Sequence, residues 1–71
     1  MIPLSDTADL GRLIRDERKR QHMTQTELAD VSGVGITYLS QLENGKETAE
    51  IGKALNVLTM LGMDLYAERR A

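Results

Sequence analysis

Apolar residues recur at helical spacing along most of the chain, and the period changes only near the C-terminus. Leu10, Leu13 and Ile14 share one helical face. Ser5 or Asp6 can cap that helix, with Asp6 and Asp9 near its positive end. Basic residues gather toward its far end, where cations suit the dipole, and it is predicted to stop near Gln21 and His22. Thr24-Gln25-Thr26-Glu27 then fits a capping box: the Thr24 hydroxyl takes the Glu27 N–H, and the Glu27 carboxylate reaches back to Thr24. Leu28, Ala29 and Val31 give a second helix a short apolar face, and Gly33 stands where a left-handed stop is expected. After Val34, a candidate buried linker, Gly35 opens a third helix over Ile36–Glu43. Leu39 and Leu42 point one way there, Thr37, Ser40 and Gln41 elsewhere, and Asn44-Gly45 ends it. Thr48 is predicted to cap a fourth helix, with Glu47 and Glu50 around its start. Ile51, Ala54, Leu55, Leu58 and Leu61 repeat at helical spacing along it, and Gly62 ends it.

Beyond Gly62 the period becomes two. Met63, Leu65 and Ala67 alternate with Asp64, Tyr66 and Glu68, the signal of a half-buried strand. No second strand is visible in the chain, and a lone strand with unpaired N–H and C=O groups recruits another. The pattern predicts that residues 63–68 pair with the same segment of a second copy and close a two-fold dimer through Met63, Leu65 and Ala67. The other reading of this segment is a tail that frays after the last helix.

With 71 residues the chain is expected to form a single domain over 1–71. A domain of this size buries only about 60 % of the surface its unfolded chain exposes, so efficient helix packing or a partner chain is needed. There is no cysteine, which removes disulfides and thiolate metal sites and suits a reducing compartment. His22, the one histidine, cannot make a zinc site alone, and no metal or cofactor is expected. Met23, Met60 and Met63 read as core or dimer packing. No apolar run approaches the roughly 18 residues that span a bilayer, and the opening Met1-Ile2-Pro3-Leu4-Ser5-Asp6 lacks the order of a signal peptide. A cytoplasmic protein with no membrane partner is expected. Enzymatic readings fail on inventory: there is no cysteine nucleophile, no Ser or Asp placed to make a triad with His22, and no phosphate-cradling glycine loop.

The net charge of −2 argues against a nucleic-acid partner until its distribution is seen. Residues 10–25 hold five basic and two acidic side chains; residues 26–50 hold one basic and five acidic. A DNA-binding surface needs a local basic patch, not a basic average.

Two short helices joined by Gly33-Val34-Gly35 make a helix-turn-helix over residues 24–44. The polar face of the third helix is placed to enter a major groove about 12 Å wide, and the second helix to offer its N-terminus to a phosphate. Gln25 is a candidate for a phosphate or base-edge contact. Gln41 can pair with adenine, and Thr37 can bond a base or meet a thymine methyl. Ile36 either meets a thymine methyl or shields the core edge. Tyr38 either contacts a phosphate through its hydroxyl or packs its ring on the second helix with the hydroxyl in water. Arg12, Arg15, Lys19 and Arg20 read chiefly as a solvated face.

Thr24-Gln25-Thr26-Glu27-Leu28-Ala29, then Gly33-Val34, then Tyr38-Leu39-Ser40-Gln41-Leu42-Glu43-Asn44-Gly45-Lys46 resembles the Cro and phage-repressor (XRE-type) helix-turn-helix family, over residues 10–61. The resemblance implies a compact, all-α, four- or five-helix repressor-type domain, to which the short C-terminal β-strand predicted at 63–68 adds a pairing across a dimer. It implies that Asn44, Gly45 and Lys46 lie on the phosphate backbone, although the same residues also serve as a plain C-cap turn. It implies a pair between Arg18 and Glu43 that fixes the third helix, with a phosphate contact by Arg18 as the lesser reading. The chain departs from the family pattern at Gly35, where a serine or threonine cap is common, and at His22, where glycine is common.

Gly45-Lys46-Glu47-Thr48-Ala49-Glu50-Ile51, then Leu58 and Leu61-Gly62-Met63-Asp64-Leu65, resembles the HipB-like antitoxin branch. That likeness implies an autorepressor that binds double-stranded DNA at an inverted-repeat operator as a homodimer and also binds a HipA-type kinase toxin. The alternative is a protein-interaction module, in which the acidic stretch from Glu27 to Glu50 faces a partner without DNA readout.

Overall fold

Every helix stop in this chain uses the same backbone device. The computed structural model describes all residues from Met1 to Ala71. It contains α1 (Thr7–Arg20), α2 (Gln25–Ser32), α3 (Ile36–Glu43) and α4 (Ile51–Met60). After them stand His22, Gly33, Gly45 and Gly62, with φ of 59°, 69°, 81° and 77°. Each donates its N–H to the carbonyl three residues back, and the next residue donates to the carbonyl five back, as with Gly62 to Thr59 and Met63 to Leu58, both at 3.0 Å. This double closure satisfies carbonyls that a helix end leaves open, and it requires a left-handed residue. His22 meets that requirement without being glycine, at some conformational cost. The residues after three of these stops, Met23, Val34 and Met63, fold onto the core. The residue after the α3 stop is Lys46, which is exposed, and the loop returns to the core only at Ala49.

The helix starts differ more. Asp6 caps α1 by accepting the Asp9 N–H at 2.8 Å, while the Ser5 N–H donates to the Asp9 carboxylate at 2.9 Å. The capping box of α2 is complete: the Glu27 N–H donates to Thr24 Oγ1 at 3.0 Å and the Thr24 N–H to Glu27 Oε1 at 2.8 Å. Gly35 caps α3 without a side-chain bond. The expected cap of α4 at Thr48 is corrected to Glu50. An Ala49 N–H to Lys46 carbonyl bond of 3.3 Å closes a turn there and delays the helix.

The core gathers Ile14, Leu28, Ala29, Leu39, Leu42, Ala54, Val57, Leu58 and Leu61 from all four helices and the stop of α4. α1 packs on α3, and α2 packs on both α3 and α4. α1 crosses the end of α3 so closely that a Cβ at Gly11 would lie 2.5 Å from the Glu43 carbonyl oxygen and 2.6 Å from that of Leu42. At the other end of α1, the Gln21 side chain donates to the Leu61 carbonyl at 2.8 Å and to Glu17 at 2.7 Å. Arg20 first, and Gln21 second, hold the Glu17 carboxyl down to about 2.

The C-terminal segment forms no strand within the single chain. The Met63 N–H closes the stop of α4 and its side chain packs on the core, so a free backbone edge begins no earlier than Asp64. Leu65 is half-exposed, and Ala67 is exposed. A ladder needs a second strand, and one chain does not supply it. No helix is long and apolar enough to cross a membrane.

The two glycines with ordinary helical backbones respond in opposite directions. Gly11→Ala is expected to lower stability by about 1–3 kcal/mol in urea unfolding, because the obstructing atoms are backbone. At Gly52 a Cβ meets nothing, so Gly52→Ala is expected to raise stability by up to about 1 kcal/mol. A Gly11→Ala protein as stable as wild type would mean that α1 can slide on α3.

Candidate nucleic-acid interface

The C-terminal end of α3 is fixed by one carboxylate. Glu43 has a side chain only 3 % exposed, and Arg18 from α1 meets it with both prongs of its guanidinium, Nε to Oε2 at 2.7 Å and Nη2 to Oε1 at 3.0 Å. Arg18 Nη1 also donates to the Met23 carbonyl at 3.0 Å. The bond to Glu43 raises the Arg18 pKa further above its ordinary value. Gln25, the first residue of α2, donates its amide to Glu43 Oε1 at 3.1 Å. Three helices therefore converge on Glu43. Arg18 is 10 % exposed, and its Nε, Nη1 and Nη2 all donate within the chain, as the pair expected with Glu43 requires.

Gln25 remains half-buried beside the first turn of α2, where the N–H groups point outward and carry the positive end of the dipole. A polar cleft opens there, lined by Arg15, Arg18, Lys19, Gln25, Glu43 and Asn44, with no apolar side chain. Within the basic block, Arg12 pairs with Asp9 and Arg20 with Glu17, each three residues apart. Arg15 and Lys19 are exposed and form no ion pair. These two residues read from the sequence as solvated surface, yet the fold sets them beside Gln25 and Asn44. A signal for Arg15 was present: no acidic residue lies three or four positions from it.

The outer face of α3 carries Ile36, Thr37 and Gln41, all exposed. Ile36 is 50 % exposed and does not seal the core edge. The Thr37 hydroxyl makes no bond within the chain, whereas the Gln41 side-chain oxygen accepts from Lys46 Nζ at 3.1 Å. Asn44 turns its amide back to the Ser40 carbonyl at 2.9 Å and so closes its own helix. Thr7 Oγ1 donates to the Gly45 carbonyl at 2.8 Å, which pins the loop after α3 to the start of α1.

The Tyr38 hydroxyl donates to the Glu50 carbonyl at 2.6 Å instead of standing in water, and its ring packs on the core to which Leu28 and Ala29 of α2 contribute, with Lys53 of α4 over its face. Burial, with the Glu50 charge second, pushes its pKa above the usual tyrosine range.

The helix-turn-helix family profile matches residues 14–66. An HTH-type transcriptional regulator of Sinorhizobium fredii is 52 % identical over 67 residues, which cover 89 % of this chain and 88 % of that protein. Among solved structures, the fold superposes on HipB in a complex described as HipB-O4 20mer with a TM-score of 0.89, at 18 % identity over the whole of both chains. It superposes on a chain of a HipA-HipB-O2-O3 complex with a TM-score of 0.90, again at 18 % identity over the whole of both chains. At that identity the likeness is one of fold.

The Glu43 site makes a sharp stability prediction. Glu43→Ala leaves the Arg18 charge unpaired inside the fold and is expected to cost about 3–5 kcal/mol in chemical unfolding. The double variant Arg18→Met with Glu43→Leu is expected to regain most of that loss, since replacing both partners by apolar groups is often close to neutral. Equal losses in the two variants would show that the pair does not act as a unit.

Proposed function

This chain belongs to the helix-turn-helix family, and from that premise we propose that it is a cytoplasmic, sequence-specific DNA-binding repressor of the HipB-like antitoxin kind, acting as a dimer on an inverted-repeat operator. The observation that carries the reading is the contrast along α3. Its inner end is locked by Arg18, Gln25 and Glu43, while its outer face leaves Thr37 and Gln41 open.

In the groove, Gln41 pairs with an adenine, Thr37 bonds a base edge, and Ile36 packs on a thymine methyl. Gln41 then gives up its bond to Lys46, which frees the ammonium for a phosphate at the same moment. Arg15, Lys19, the second amide hydrogens of Gln25 and Asn44, and the first-turn N–H groups of α2 hold the backbone on either side. Ile51 and Leu55, exposed one turn apart on α4, and the free edge from Asp64 onward support the joining of two copies. Such a dimer sets its α3 helices in successive major grooves about 34 Å apart. Bound at a promoter, it excludes polymerase. The likeness of fold to a HipB chain solved together with HipA supports a HipA-type kinase toxin as a second partner.

Fluorescence anisotropy on DNA from upstream of the gene, beside scrambled DNA, separates base reading from phosphate binding. Thr37→Ala with Gln41→Ala is expected to weaken operator binding about 100-fold and leave scrambled DNA and unfolding unchanged, since each base-edge bond contributes about 1–3 kcal/mol. Arg15→Ala with Lys19→Ala is expected to weaken both DNAs alike and to flatten the salt dependence by about 0.9 for each phosphate no longer neutralised. Operator binding that survives the first pair intact would favour the interaction-module reading.

A further inference from the structure

α3 and α4 scarcely touch along their lengths, because α3 rests on α1 and α2 while α4 rests on α2. A single side-chain hydrogen bond crosses between Tyr38 on α3 and the start of α4. The Tyr38 hydroxyl donates to the Glu50 carbonyl at 2.6 Å, and that carbonyl also accepts the Ala54 N–H at 3.2 Å, the first rung of α4. Both lone pairs of the oxygen are thereby engaged, and the hydroxyl grips α4 itself, not the loop before it. Lys53, in the first turn of α4, lies over the Tyr38 ring at 5.5 Å and pairs with the Glu50 carboxylate at 3.5 Å. A cation in that position is attracted to the ring face. Glu50 has no side-chain cap of its own, so the Tyr38 hydroxyl is the side-chain contact that secures this end of α4.

We propose that Tyr38 is a positioning residue that sets the angle between the reading helix α3 and the dimer-forming helix α4, and so fixes the half-site spacing the dimer accepts. This rests on the DNA-binding dimer proposed above. Tyr38 adjoins Thr37 and precedes Gln41 by three residues, so any tilt of α3 at Tyr38 moves both. In a two-fold dimer spanning grooves about 34 Å apart, each α3 lies about 17 Å from the axis. Both helices move, so a swing of about 6° that carries each α3 about 1.8 Å along the duplex changes their separation by about 3.5 Å, close to the rise of one base pair, about 3.4 Å. A dimer whose α3–α4 angle is loose therefore tolerates a site one base pair too long or too short, and one with the angle held does not.

Tyr38→Phe removes the hydroxyl and keeps the ring beneath Lys53. The probe is the inverted repeat recovered from random duplexes by in vitro selection with the wild-type protein. Anisotropy is then read on that repeat, on versions with one central base pair added or removed, and on a single half-site. Wild type is expected to prefer its selected spacing by about tenfold or more, and Tyr38→Phe by about threefold or less, with half-site affinity unchanged within about twofold. A Tyr38→Phe protein that keeps the wild-type spacing preference overturns the inference. Equal loss on the half-site and the full repeat also overturns it, since Tyr38 would then be a DNA contact. Failure of the wild type to select any inverted repeat is a separate result, visible without the variant; it overturns the dimer reading and this inference with it.

Discussion

The Glu43 carboxylate is where the positions of α1, α2 and α3 are decided together. Removing a charge from water costs several kcal/mol, and the loss is offset only when donors of good geometry replace the solvent. Arg18 and Gln25 supply those donors from two other helices, at 2.7 to 3.1 Å. The close crossing at Gly11 sits beside the same carboxylate, because the carbonyls of Leu42 and Glu43 belong to the α3 turn that carries it. Polar convergence and steric contact thus act on one end of α3. The outer face, with Ile36, Thr37 and Gln41, remains exposed, which is the arrangement a helix needs to be held rigidly and still enter a groove.

Charge is distributed by the same logic. The protein is acidic overall, with a net charge of −2, yet its basic residues are concentrated on α1. Of these, Arg12, Arg18 and Arg20 have acidic partners within the chain. Arg15 and Lys19 have no acidic partner within the chain and stand next to the amide-rich start of α2. In the DNA complex proposed above, such a surface gains little from nonspecific attraction to phosphate, and discrimination rests on the side chains of α3.

Much of this was legible in the sequence, and what was not has identifiable reasons. The bounds of α2 and α3, the Thr24–Glu27 capping box and the left-handed stop at Gly33 follow from local chemistry, so spacing alone reveals them. The Arg18–Glu43 pair came from resemblance, since no local rule joins residues 25 positions apart. Thr48 has the right chemistry for a cap, but the turn from Lys46 to Ala49 competes for the same backbone. The need for glycine at position 11 depends on an interhelix distance, and the destination of the Tyr38 hydroxyl depends on where the Glu50 carbonyl falls after that turn. The alternation over residues 63–68 is a statement about pairing, and a single chain holds only half of the pair; Met63 also serves the stop of α4 and the core, which the alternation cannot reveal.

The most direct test of the central claim is a hydroxyl-radical footprint of the wild-type protein on its selected DNA. The account predicts two protected patches related by a two-fold axis, on one face of the duplex and about one helical turn apart, roughly 10 base pairs. A single patch, or protection spread evenly over both faces, would contradict it.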